Sequence, residues 1–129
     1  MDKKQKLLII EDDEWILKIF SKVLEKNFEI NVAQTIQAFY FSIKNNTYDG
    51  FLVDLSLRGE KNGLQLIEEL RQMENYLKVP IVVITANALK KDRDNSMKAG
   101  ATKFITKPVD NNVLLQELLD LFPNTGADK

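Results

Sequence analysis

Five short apolar runs, each followed by a longer segment of helical period, constrain this chain more than any other feature. The runs are Leu7–Ile10, Glu29–Ala33, Phe51–Val53, Ile81–Ile84 and Lys103–Ile105. Strands alternating with helices imply repeated βα units and a parallel sheet. The IVVI run is β-branched and unbroken, as suits a strand buried on both faces, and it follows Pro80, which has no place within a central strand. The second run is half polar and reads as a sheet edge.

The helical segments carry apolar stripes at spacings of three and four. After the first run come Ile16, Ile19, Phe20, Val23 and Leu24; after the second, a helix over about Ile36–Lys44; after the third, Leu64, Ile67, Leu70 and Met73; after the fifth, Val113, Leu114, Leu118, Leu119 and Leu121, before Pro123. The fourth helix, within ALKKDRDNSMKAG, offers Leu89 and Met97 as its anchors and is otherwise charged, so it should be loosely held. Gly100 is placed to close it in a left-handed conformation. The expected fold is α/β, a flavodoxin-like (βα)5 three-layer sandwich whose five parallel strands run in the order 2-1-3-4-5.

At 129 residues and 44% hydrophobic, the chain suits one domain with one continuous core, over about residues 6–122, and a short tail at 123–129. It contains no cysteine, which excludes disulfides and thiolate chemistry, and no histidine. A formal net charge of −1 with dispersed lysines gives no basic face for nucleic acid. No apolar run approaches the roughly 20 residues that span a bilayer, and MDKKQK is not the start of a signal peptide. A soluble, cytoplasmic protein is the expectation.

Right-handed crossovers put all the carboxyl ends of the strands on one rim, where ligands of such sheets bind. Strand 1 ends at Glu11, Asp12 and Asp13, strand 3 at Asp54, strand 4 at Thr85, and strand 5 leads through Thr106 to Lys107. Singly, these are ordinary turn and cap residues, and Asp13 reads best as a helix N-cap. Together they make a site, with strands 1 and 3 adjacent at the topological switch point. Two carboxylates about 4 Å apart repel by roughly 4 kcal/mol at an effective dielectric of 20, so the cluster requires cations. An all-oxygen donor set selects a hard ion, Mg²⁺ before Ca²⁺, and Lys107 supplies further positive charge. Such a pocket suits Asp54 as a nucleophile toward phosphorus that then holds an acyl phosphate, with Thr85 close by.

Taken in order, LLIIEDD, FLVDLSL, VPIVVITANA and GATKFITKPVD resemble the receiver domains of two-component response regulators over nearly the whole chain. The resemblance implies that Asp12 ligates Mg²⁺ directly, Glu11 acts through water, and the Ser56 carbonyl completes the protein ligands. It implies Asp54 as phosphoacceptor, Lys107 in contact with the phosphoryl group, Thr85 as switch hydroxyl, Phe104 as switch aromatic, and a cis peptide between Lys107 and Pro108. Arg58 stands where proline is usual, and one extra residue precedes Gly63. Ser56 and Asn87 resemble positions that tune phosphoryl lifetime, and TANALKKDR is similar to receivers fused to hybrid kinases.

The resemblance also implies a phosphorelay partner, a histidine kinase or histidine phosphotransfer protein. With no histidine in this chain, the donor is a separate domain or a small phosphodonor. The switched surface would be the fourth helix, fifth strand and fifth helix, acting on another protein, by homodimerisation from a monomer, or by onward phosphotransfer. The chain is then a signalling switch that assists its own phosphorylation and dephosphorylation, not an enzyme acting on a separate substrate. Three rivals fare worse. A haloacid dehalogenase-like hydrolase needs a second acid where Ser56 stands, and a flavodoxin-like cofactor binder needs a phosphate-cradling loop where EDDEW stands. A degenerate, interaction-only receiver would not be expected to keep Asp12, Asp54, Thr85 and Lys107.

Overall fold

A computed structural model describes residues 4–55, 62–86 and 89–122. These form β1 (Gln5–Ile10), α1 (Glu14–Leu24), β2 (Phe28–Ala33), α2 (Ile36–Asn45), β3 (Gly50–Val53), α3 (Gly63–Arg71), a 3-10 turn (Glu74–Tyr76), β4 (Ile81–Thr85), α4 (Lys90–Ala99), β5 (Lys103–Thr106) and α5 (Asn111–Leu121). The strands are parallel in the order β2-β1-β3-β4-β5, with the half-polar second strand at an edge, as expected. The 3-10 turn had no signal in the apolar pattern.

Side-chain alternation divides the core between the two sheet faces. On one face Leu7, Ile9, Leu52, Val82 and Ile84 pack against Leu17, Phe20 and Leu24 of α1 and Leu114 and Leu118 of α5. On the other, Leu8, Ile10, Phe51, Val53, Ile81 and Val83 meet Phe39 of α2 and Leu66, Ile67 and Leu70 of α3. Complete burial of a Leu or Ile side chain contributes about 1.5–3 kcal/mol, so the central strands anchor the fold.

Caps mark the helix starts. Asp13 Oδ1 accepts from the Trp15 and Ile16 amides at 2.9 and 3.1 Å, which makes it the N-cap of α1. Asn62 and Gln65 form a reciprocal capping box at α3. Gly100 ends α4 at φ 119°, in the left-handed region that glycine tolerates best.

The anchors expected for α4 are not its anchors: Leu89 is 60% exposed and Met97 45%. The fully buried α4 residue is Ser96, whose hydroxyl donates to the Asp92 carbonyl at 2.7 Å. Satisfying that hydroxyl within the helix lets a small side chain face the protein, while the larger apolar ones face outward. Ile19 and Val113 are likewise exposed, and Leu17 takes a core place in α1. Met73 lies beyond the end of α3 and is partly buried against the core. Ser56, Arg58, Gly59, Asn87 and Pro123 lie outside the described residues.

Candidate functional site

Register sets the rim. Ile10 is level with Val53, and the ladder continues one step beyond both strands because the Asp54 amide donates to the Ile10 carbonyl at 3.0 Å. Glu11 is fixed from the other side, its amide donating to the Ala33 carbonyl at 3.1 Å. Thr85 is level with Thr106, and the Lys107 amide donates to the Thr85 carbonyl at 2.8 Å. Backbone pairing thus delivers Glu11, Asp54, Thr85 and Lys107 to one end of the sheet. The Lys107–Pro108 peptide is cis, as the resemblance implied.

Glu11 and Asp54 are each 2% exposed, Thr85 is fully buried, and Asp12 is half-buried. One carboxylate oxygen from each of Glu11, Asp12 and Asp54 lies within 4.8 Å of the others. Lys107 Nζ lies 2.9 Å from Glu11 Oε1 and 3.1 Å from Asp54 Oδ2, a double ion pair across three strand ends. Glu11 Oε2 also accepts from the Asp13 amide at 3.2 Å.

Burial pushes the Glu11 carboxyl up from an ordinary 4.5 to about 7; Lys107 opposes the shift and neighbouring Asp54 adds to it. For Lys107 burial acts downward, but its bonds to Glu11 and Asp54 prevail and hold the ammonium above its ordinary value. One lysine therefore faces more negative charge than it neutralises. Three hard oxygen donors, crowded and only partly compensated, fit a hard divalent cation.

The expected site residues Glu11, Asp12, Asp54, Thr85 and Lys107 all lie at this rim, and Ser56 falls outside the described residues. Phe104 is level with Val83, two residues before Thr85 on the same sheet face, and only 8% exposed. Two relationships were not foreseen. Glu11 is a direct partner of Lys107, and the Arg93 guanidinium of α4 lies over the Phe104 ring, 5.0 Å from its centroid. The first needs register as well as strand order, which no local pattern supplies; the second has no sequence signal.

The family model described as response regulator receiver domain matches residues 7–119. A chemotaxis protein CheY homolog of Campylobacter jejuni is 27% identical over 125 residues, which cover 95% of this chain and 95% of that protein. Hybrid signal transduction histidine kinase I of Dictyostelium discoideum is 31% identical over 124 residues, covering 90% of this chain and 7% of that protein. Among solved structures, the receiver domain of a sensor histidine kinase from Pseudomonas aeruginosa PAO1, with a magnesium ion coordinated in its active-site cleft, aligns with a TM-score of 0.83. Its identity is 27%, over 95% of this chain and all of that one.

Proposed function

This chain belongs to the response regulator receiver family of two-component signalling, and we propose that Asp54 is the carboxylate that accepts its phosphoryl group. The observation that carries the proposal is the nearly buried Asp54, in one oxygen cluster with Glu11 and Asp12 and 3.1 Å from the Lys107 ammonium. With a divalent cation supplying the positive charge that Lys107 alone does not, such a pocket can accommodate the added phosphoryl oxygens.

The donor is a phosphohistidine on a separate histidine kinase or phosphotransfer protein, or a small acyl phosphate. An Asp54 carboxylate oxygen attacks phosphorus, the phosphorus–nitrogen bond breaks as the phosphorus–oxygen bond forms, and imidazole leaves with the bonding electrons and takes up a proton. Lys107 binds a phosphoryl oxygen, keeping its charge where negative charge gathers in transfer. Glu11 holds the Lys107 ammonium in place. Thr85, at the end of β4, donates its hydroxyl to another phosphoryl oxygen, and Phe104 on the same face answers that movement.

Asp12, Asp54 and the Ser56 carbonyl are the Mg²⁺ ligands in this reading, with Glu11 acting through water. Bound Mg²⁺ supplies charge neutralisation and alignment of the transferring phosphoryl group. In this reading water then attacks phosphorus in the same pocket, the bond from phosphorus to the Asp54 oxygen breaks, and inorganic phosphate leaves with the carboxylate restored, so the domain takes part in its own phosphorylation and dephosphorylation while acting as a switch. Residues 6–122 form the receiver unit. Its output runs through the surface of α4, β5 and α5, to another protein or to a second copy. A cytoplasmic setting goes with this reading, and among the described residues no helix is long and apolar enough to cross a membrane.

Intact-mass measurement after incubation with an acyl phosphate and Mg²⁺ tests the proposal. The wild type should gain one phosphoryl unit and Asp54→Asn none; equal masses would leave an interaction module without phosphoacceptor chemistry.

A further inference from the structure

Helix α4 is fastened unequally along its length. At its C-terminal end the Gly100 amide donates to Ser96 and Met97, the Ala101 amide donates to Ser96, and Arg71 Nε donates to the Gly100 carbonyl at 2.9 Å. Arg71 also bonds the carbonyls of Tyr76 and Val79 and the Thr102 hydroxyl, which ties that end to α3 and to the start of β5. At the other end Leu89 gives no side-chain cap and is 60% exposed. Between the two ends, the exposed Arg93 reaches β5, its guanidinium over the Phe104 ring. Arg93, Ser96 and Gly100 follow one another at spacings of three and four, and so line one helix face.

We propose that Arg93 is a positioning residue of the switch, a latch whose guanidinium, stacked on Phe104, holds α4 against β5 while the Arg71-bound end at Gly100 acts as the hinge. The inference rests on the reading of Asp54 as phosphoacceptor only where it joins the latch to the phosphoryl site. A guanidinium over a ring is attracted by the ring's negative face, and that attraction is lost when the ring turns edge-on or leaves. Phe104 shares its sheet face with Val83 and Thr85, so a change at Thr85 reaches the ring through packed neighbours. Ring movement then frees the helix at Arg93 but not at Gly100. A ligand at Asp54 that favours one ring position alters the latch, and the latch alters the apparent affinity for that ligand by the same factor.

The test is a double-mutant cycle with Arg93→Ala, Phe104→Leu and the double variant, all as full chains. Hydrogen exchange without added ligand reads the latch alone. Arg93→Ala should speed exchange of the α4 amides about two- to five-fold, the scale of one exposed cation–π contact, and should change nothing further in the Phe104→Leu background. Titration with beryllofluoride in Mg²⁺, a phosphoryl mimic, reads the coupling. Arg93→Ala should move the midpoint about two- to five-fold beside Phe104 and leave it in place beside Leu. A helix that is merely stabilised by Arg93 would show the same shift in both backgrounds or no midpoint shift, and either result overturns the latch. If wild type itself gives no beryllofluoride response, the phosphoacceptor reading fails, and the exchange cycle still decides whether Arg93 holds α4.

Discussion

Lys107 Nζ lies 2.9 Å from Glu11 Oε1, although 96 residues separate the two in sequence. The bond joins the carboxyl end of the first strand to the chain beyond the fifth, and Glu11 is the more deeply buried partner, 3% exposed against 16% for the Lys107 side chain. In the proposed reaction, Glu11 competes with the phosphoryl group for the lysine while keeping it in place.

Removing Lys107 should therefore act on stability and on transfer together. Lys107→Ala leaves the buried carboxylates of Glu11 and Asp54 adjacent with no ammonium between them, a penalty of about 3–5 kcal/mol at pH 8. Urea unfolding should show that loss without divalent ion and recover much of it in millimolar Mg²⁺. Acyl-phosphate labelling should persist at a reduced rate, without the hydrogen-exchange response of α4. A variant as stable as wild type in chelator at pH 8 would mean that the double ion pair is not the compensating charge.

The raised Glu11 pKa sets a pH dependence of definite sign. A carboxyl that titrates at about 7 when folded and near 4.5 when unfolded favours the folded state while protonated. Its contribution is complete below about 4.5 and is lost as pH rises through 7, at up to about 1.4 kcal/mol per pH unit. In chelator, wild type should thus lose stability between pH 5 and pH 8, and Glu11→Gln, which mimics the protonated acid, should lose less. Mg²⁺ should flatten the wild-type slope, because the ion prefers the ionised acids. Equal slopes for the two proteins would remove Glu11 as the titrating group.

Much of this was legible in the sequence, for a physical reason. Strands buried on both faces are continuous apolar runs, and Leu7–Ile10, Phe51–Val53 and Ile81–Ile84 stand out as such; once they are parallel, their carboxyl ends share a rim whatever the loops do. That is why Glu11, Asp12, Asp54, Thr85 and Lys107 could be grouped without coordinates. Helix α4 was less legible because it lies beside the edge strand β5, where little surface needs covering. There a small Ser96 and a stacked Arg93 serve in place of the leucine and methionine that hydropathy selects. The Glu11–Lys107 bond required register as well as strand order, and register is not printed in any local pattern.

Arg71 offers a test of the α4 anchor that does not involve the rim. Its guanidinium reaches the carbonyls of Tyr76 at 2.8 Å, Val79 at 2.7 Å and Gly100 at 2.9 Å, and the Thr102 hydroxyl at 3.3 Å. A lysine cannot reproduce that planar fork. Arg71→Lys should cost about 2–3 kcal/mol by urea unfolding, since partly buried carbonyls lose charged donors. Hydrogen exchange should rise at the amides of Gly100 and Ala101, and labelling of Asp54 should persist. Unchanged exchange at those two amides would show that the C-terminal end of α4 is held by its backbone bonds alone.

Gly63 packs closely against the backbone that carries the proposed phosphoacceptor. A Cβ added there would lie 2.7 Å from the Asp54 carbonyl oxygen, 3.0 Å from Leu55 Cα and 3.0 Å from Val53 Cγ1. Two of those atoms are backbone and cannot turn aside, so Gly63→Ala must push α3 away from the end of β3 and shift Asp54 with it. The expected cost is about 1–3 kcal/mol, with slower labelling of Asp54. Gly50→Ala is the control: it sits at the opposite end of β3, and its Cβ would run into the Phe122 ring and lie 3.1 Å from the Pro80 carbonyl oxygen. That variant should lose comparable stability by displacing the ring, yet label at the wild-type rate under conditions where both variants are folded. If the two variants slow labelling equally, contact between Gly63 and the Asp54 backbone has no particular part in presenting the carboxylate.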